Sequence, residues 1–196
     1  MYELNRALQT VDFRQVNIVG DTVQLLSPDA WIDLGAIAKG YIADKVAELL
    51  LGRGVDGALI DLGGDVVAVG SRPDGSPWRV GVSEPVVGSS EFIGVLEVNG
   101  VSIVSSGTYE RLLVVDGVQY HHILDPFTGM PVCSDVVSAT VVAESAVVGE
   151  GLSTIAVLLG SELVVEMFER SSGFIGAVLV LENGEVLEFG DVRMKR

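Results

Sequence analysis

Short valine-rich runs separated by tight-turn dipeptides constrain this chain more than any other feature. VNIV and TVQLL flank Gly20-Asp21, Asp74-Gly75 precedes WRVGVSEP, and Asn99-Gly100 follows FIGVLEV and leads into VSIVSSG. Asp116-Gly117 joins YERLLVV to VQYHHILD, and Asn183-Gly184 lies within FIGAVLVLENGEVLEFG. Such dipeptides suit two-residue turns, and the β-branched runs beside them suit strands, so the runs are expected to pair largely antiparallel. ALIDL and SATVVA read as further strands, and Trp31-Ile32 as the end of a buried one.

Helical signals are fewer. A short helical lead-in opens the segment 4–26. Ile42, Val46, Leu49 and Leu50 recur at helical spacing, with Gly52 and Gly54 as a C-cap. A later helix is expected over 146–159, closed by Gly160, followed by a second in SELVVEMFERS; the basic tail RMKR is expected to fray. The fold class is thus α+β, a single domain with a mixed, largely antiparallel sheet and two or three helical segments packed on it. With 196 residues, 48% of them hydrophobic, the chain has ample material for one core.

Twelve basic against 27 acidic residues leave a net charge of -15, which argues against nucleic acid or an anionic membrane surface as the main partner. The same charge repels an anionic cofactor at long range unless a metal and local positive groups reverse the field. The lone Cys133 excludes an internal disulfide. No uninterrupted apolar run reaches the roughly 18 residues of a membrane span, and MYELNRALQTVDFRQ lacks a basic-then-apolar signal pattern. The folded part reads as soluble, with the compartment left open.

Chemistry is most plausible where a strand turns into a helix, at DLGAIAKGYIAD, residues 33–44. Gly35 and Gly40 free the backbone, and the early amides and dipole of the following helix favour an anion, so a phosphate beside Lys39 is well placed. Asp33 can accept hydrogen bonds from a ligand or help neutralise a cation. The same pattern also describes a capped junction with Lys39 in solvent, and its spacing is neither a Walker loop nor a dinucleotide fingerprint.

The run DLGAIAKGYIAD resembles the signature of the ApbE family, flavin transferases that move FMN from FAD to a threonine or serine of another protein. DLGGDVVAVG, SSGTYER, HHILDPFTG and EGLSTIAVLLG resemble that family in the same order. The resemblance runs over nearly all of 1–196 and implies an ApbE-like core, the C-terminal part of the family's full domain. Family members usually carry a further N-terminal region with a Met-Gly-Thr strand and a Gly-Ala-Phe-Asp-type loop; neither motif occurs here. Many are exported lipoproteins, whereas this chain begins without a signal or lipidation cysteine.

The resemblance implies Mg²⁺ held by a main-chain oxygen of the AIAKG stretch, here Ala36, and by an aspartate and a threonine four apart on a later helix. The threonine corresponds to Thr154, and the aspartate position is occupied by Glu150. Four-residue spacing puts both on one helix face. The longer glutamate implies binding through water, a shifted helix or a larger ion; apart from the family, Glu150 reads as a surface residue and Thr154 as a hydroxyl bonded to its own helix. His122 matches the family's histidine and would serve as the base, with Asp125 orienting it or the following turn. His121 would point to the opposite face. Asp33, Lys39, Tyr41, Ser106, Gly107 and Ile123 are the expected flavin-nucleotide contacts, and Arg111 is expected to pair with Asp125 or Glu110.

Three functions follow as expectations: an FAD-dependent protein FMN transferase, a non-catalytic flavin-binding or assembly module, and an FAD pyrophosphatase yielding FMN and AMP. The implied partners are FAD, an acceptor protein bearing the threonine or serine, and either a partner chain supplying the absent N-terminal region or a second copy against the apolar face that region leaves exposed.

Overall fold

The computed structural model describes residues 2–196. Helix α1 (Tyr2–Leu8) leads into the hairpin β1 (Val16–Val19) and β2 (Thr22–Leu25), then α2 (Ala38–Gly52). Strands β3 (Gly57–Asp61), β4 (Asp65–Gly70), β5 (Trp78–Ser83), β6 (Phe92–Val98) and β7 (Ser102–Gly107) follow, then β8 (Leu112–Val115) and β9 (Val118–His121). Strand β10 (Val136–Ala143), helix α3 (Ala146–Arg170) and the hairpin β11 (Phe174–Leu181) and β12 (Val186–Gly190) complete the chain. Six strands form the main sheet in the order β12-β11-β10-β7-β4-β3. Every strand ladder among the described residues is antiparallel, so the fold is α+β as expected.

Alternation along the strands explains the layers. Val67, Val104, Val141 and Leu179 face the helices, whereas their neighbours Val66, Ile103, Val142 and Val178 face the hairpin β5–β6 through Val82 and Leu96. Both sheet faces are covered, and for that reason the central strands read as continuous apolar runs. Helix α3 lays Leu152, Ala156, Val157, Val164 and Phe168 on one of these faces. Its 25 residues are long and apolar enough, by length and composition, to cross a membrane; here they pack on the sheet.

Gly160 divides α3, with φ 80° and ψ 171°, where the expected break between two helices fell. The second half is capped from outside: Asp135 accepts from the Ser161 amide at 2.9 Å and from its hydroxyl. The first half is likewise capped by Asp44 of α2, which accepts from the Ala146 and Val147 amides at 2.7 and 3.0 Å.

Three expectations give way. Trp31 and Ile32 form no strand and are exposed, because no neighbouring strand supplies a ladder for them. On α2 the buried residues are Gly40, Ala43 and Ala47; of the expected apolar run, Val46 and Leu50 pack partly buried against this core, while Ile42 and Leu49 are more than half exposed. The helix packs by its smallest side because it lies against α3 so closely that a Cβ on Gly40 would meet the Ala146 carbonyl oxygen at 2.5 Å. The basic tail is tied down, since Lys195 exchanges backbone hydrogen bonds with Val95 and its ammonium reaches Glu97.

Candidate functional site

A cavity of about 380 Å³ opens where α2, β4, β7, the segment after β9 and the first half of α3 converge. Each element contributes polar groups from its end: Asp33 and Ala36 from the loop before α2, Lys39 from its first turn, Asp65 from the start of β4, and Ser105 and Ser106 from β7. Glu110 and Arg111 precede β8, His122 and Ile123 follow β9, and Glu150, Thr154 and Leu158 descend one face of α3.

At the base of the cavity sit two buried carboxylates. Asp65 is 0% exposed and Glu150 3%. Lys39 Nζ lies 2.7 Å from Asp65 Oδ1 and 3.8 Å from Glu150 Oε1, and Gly40 N donates to Glu150 Oε2 at 2.8 Å. The α2 amide expected to receive a ligand's phosphate is thus taken by a carboxylate of the chain itself, as a helix N-terminus favours. Lys39 is pinned between two acids rather than free in solvent. Burial pushes the Glu150 carboxyl above the usual range; the Gly40 amide opposes this, the nearby Asp65 adds to it, and Lys39 opposes it. Asp65 Oδ2 is buried with no hydrogen-bond partner, an orphan acceptor of the kind that marks a place for a donor or a cation.

Counted over the lining, Asp33, Asp65, Glu110 and Glu150 face Lys39 and Arg111. Fully ionised, that wall carries an excess of two negative charges, so a diphosphate entering it requires added positive charge. Among the described residues no three His, Cys, Asp or Glu side chains gather as a metal cluster. Ala36, Glu150 and Thr154, the residues expected to supply oxygen ligands, all line the cavity, beside further oxygen-bearing side chains such as Asp65 and Glu110. Such oxygens are hard ligands of the type Mg²⁺ takes in ones and twos, with waters completing its shell.

The two histidines part at the end of β9, where His121 is the last strand residue and His122 the first beyond it. His122 lines the cavity, whereas His121 donates through Nε2 to the Val132 carbonyl at 3.0 Å. The His122 pKa is held below 6.5, first by desolvation and then by the charges of Arg111 and His121. Asp125 braces the following turn by accepting from the Phe127 and Thr128 amides, at 2.7 and 3.4 Å. No ion pair joins Arg111 to Asp125 or Glu110 among the described residues; Arg111 stands beside His122.

Of the expected contacts, Asp33, Lys39, Ser106 and Ile123 line the cavity, Ile123 also belonging to the core under α3. Asp33 folds back to accept from Gly35 N at 2.7 Å. Tyr41 and Gly107 stand outside the cavity. Tyr41 lines a separate groove with Asp44 and Glu48 and lies under the Lys45 ammonium. It follows Gly40 by one position and therefore turns to another side of α2. Gly107 is buried against the Tyr109 ring, which a Cβ there would meet at 2.2 Å. Thr154 bonds not to its own helix but across to Ser106, at 3.2 Å, while Glu150 is buried rather than a surface residue. Asp65, and Ser153 beside Ser106, escaped the sequence reading; the signal for Asp65 was the aspartate that ends Gly63-Gly64-Asp65 directly after a strand.

Comparison with known proteins brings the same residues into a family context. The model of the ApbE family matches residues 1–179. An FAD:protein FMN transferase of Treponema pallidum is 40% identical over 174 residues, covering 81% of this chain and 48% of that protein. One of Klebsiella pneumoniae is 37% identical over 174 residues, covering 89% and 53%. Among solved structures, the ApbE protein of Thermotoga maritima superposes with a TM-score of 0.85 at 33% identity, over 96% of this chain and 61% of that one. The flavin transferase ApbE of Vibrio cholerae gives 0.82 at 30% identity, over 96% and 59%. The chain spans about half the length of the curated relatives it matches.

Proposed function

This chain belongs to the ApbE family, and from that premise we propose that it transfers FMN from FAD to a threonine or serine of an acceptor protein and releases AMP. One observation carries the proposal: Ala36, Lys39, His122, Glu150 and Thr154 line a single cavity although they come from three separate parts of the chain. The curated relatives bear the name of that activity.

The acceptor hydroxyl oxygen bonds to the FMN phosphorus, the bond from that phosphorus to the bridging oxygen breaks, and AMP leaves with the bridging oxygen. His122, kept neutral near pH 7 by its lowered pKa, takes the hydroxyl proton. Lys39 and Arg111 offer positive charge to the phosphates, and Asp65 holds the Lys39 ammonium at one place. Such a transfer depends on positioning and charge stabilisation more than on covalent participation by the protein. Ala36 O, the Glu150 carboxylate and Thr154 Oγ1 would hold Mg²⁺, which when bound neutralises charge on the diphosphate.

The reading extends to protein partners. The acceptor presents its hydroxyl at the His122 wall, and a second copy or another chain covers the exposed apolar side chains of the segment around β1 and β2.

Incubating the chain with FAD, Mg²⁺ and an acceptor domain bearing a flavinylation threonine tests the proposal. The expected result is an acceptor heavier by one FMN phosphoester, with AMP released in equal amount. AMP and free FMN without an adduct would make the protein a pyrophosphatase, and FAD bound without AMP would make it a binding module. Glu150→Asp is expected to match or exceed the parent, because an aspartate can satisfy the short bonds of Mg²⁺. A marked loss would mean that the longer side chain, tied to Gly40 N, is tuned to its place.

A further inference from the structure

Thr154 belongs to a chain of three hydroxyl hydrogen bonds that has one way of being fully made. Thr154 Oγ1 lies 3.2 Å from Ser106 Oγ, Ser106 Oγ lies 2.8 Å from Ser153 Oγ, and Ser153 Oγ donates to the Glu150 carbonyl at 3.1 Å. A hydroxyl carries one proton and two acceptor lone pairs, and a carbonyl only accepts. Three bonds therefore need three protons, which the three hydroxyls supply. Since the last acceptor is a carbonyl, Ser153 donates to it, Ser106 donates to Ser153, and Thr154 donates to Ser106. Any other assignment leaves one bond without a proton.

The consequence falls on the cavity. Thr154 spends its only proton toward β7, so what it turns to the cavity is a lone pair. We propose that Ser106 and Ser153 are positioning residues that order the Thr154 hydroxyl as an acceptor for a divalent cation. This rests on the function proposed above and deepens it at the cation ligand. Ser153 is 0% exposed and does not line the cavity, so it acts on a ligand only through its neighbours. The close approach that makes the relay is set by Gly149, whose Cβ, if present, would meet Val104 Cγ2 at 3.0 Å. The helix thereby comes within hydroxyl contact of the strand.

The relay reads out in Mg²⁺ affinity of the whole chain without FAD, measured by calorimetry, with thermal unfolding of the same samples reporting the fold. Ser153→Ala removes the exit acceptor for the Ser106 proton, which then turns to Thr154 and drives the Thr154 proton into the cavity. Mg²⁺ affinity is expected to fall about tenfold, the lower end of what is lost when a group orienting a metal ligand is removed. Ser106→Ala takes away the acceptor for Thr154 and is expected to act in the same direction; it carries the test if Ser153→Ala fails to fold. In a Thr154→Ala background both substitutions are expected to change nothing further. Equal losses with and without Thr154 would overturn the relay as a merely structural effect. Unchanged affinity in Ser153→Ala and Ser106→Ala, with Thr154→Ala and Glu150→Gln both weakened, would overturn the relay and leave the cation site standing. Unchanged affinity in Glu150→Gln would overturn both.

Discussion

At the scale of the residue, His122 is the group whose behaviour the surroundings alter most usefully. Desolvation and the Arg111 charge both disfavour its cationic form, so its pKa lies below 6.5. A base works when neutral, and a lowered pKa keeps it neutral to lower pH. The acid limb of FMN transfer is therefore expected below pH 6.5, and Arg111→Met is expected to move that limb upward. His122→Ala should lower kcat by about 10²–10⁴ and abolish the limb; a pH-rate profile of the three proteins checks this. The histidine was legible through its match to the family's histidine, since alternation said only that one of two adjacent histidines could face a site. Asp65 was not, because its partner Lys39 lies 26 residues away and only the packed sheet end brings them together. Thr154 shows the same limit from the other side: its spacing from Glu150 placed it on the right helix face, but the serine it bonds sits on β7.

Among the elements, α3 shows why local chemistry reads more easily than packing. The glycine that ends its first half is visible in the sequence, whereas the cap for its second half comes from Asp135, before β10. A residue with a side chain at φ 80° and ψ 171° is strained by about 1–3 kcal/mol, and at Gly160 its Cβ would also meet Asp135 Oδ1 at 2.7 Å. Gly160→Ala is thus expected to cost more than Asp135→Ala, whose loss is that of a cap, about 1 kcal/mol. The Ser161 hydroxyl and amide hold the Asp135 carboxyl below its ordinary 3.8. A carboxylate with a lowered folded pKa contributes stability in full above the unfolded value, and that contribution is lost as pH falls through the folded one. Urea unfolding should accordingly show the Asp135→Ala deficit at pH 7 and see it shrink below pH 3.8. The hairpins were the most legible elements, since Asp116-Gly117 and Asn183-Gly184 carry their turn geometry within two residues. The face of α2 was only half legible: apolar periodicity pointed to Ile42, Val46, Leu49 and Leu50, of which Val46 and Leu50 pack on the core, but steric room beside α3 gave the closest contact to Gly40 and Ala43.

Over the whole molecule, two long-range terms oppose each other. The hairpin β1–β2 is not joined to the main sheet, and Phe13, Ile18, Val19 and Trp31 around it are exposed, Trp31 to 94%. A two-stranded hairpin is marginal by itself, and each of these side chains gains roughly 1.5–3 kcal/mol if fully buried, so association that covers them is favourable. Against it stands the net charge of -15, which makes two copies repel at distances up to the Debye length, about 30 Å at 0.01 M salt and 8 Å at 0.15 M. Screening removes the repulsion and leaves the apolar term, or strengthens it. Apparent mass by light scattering is therefore expected to rise with protein concentration, and to rise further with monovalent salt, the reverse of a contact held by opposite charges. Trp31→Ser with Ile18→Ser should lower the mass at high salt while leaving the cavity lined by Lys39, His122 and Glu150, on other elements, unchanged. A mass fixed at one chain across concentration and salt would mean that these side chains are not an association surface for this protein.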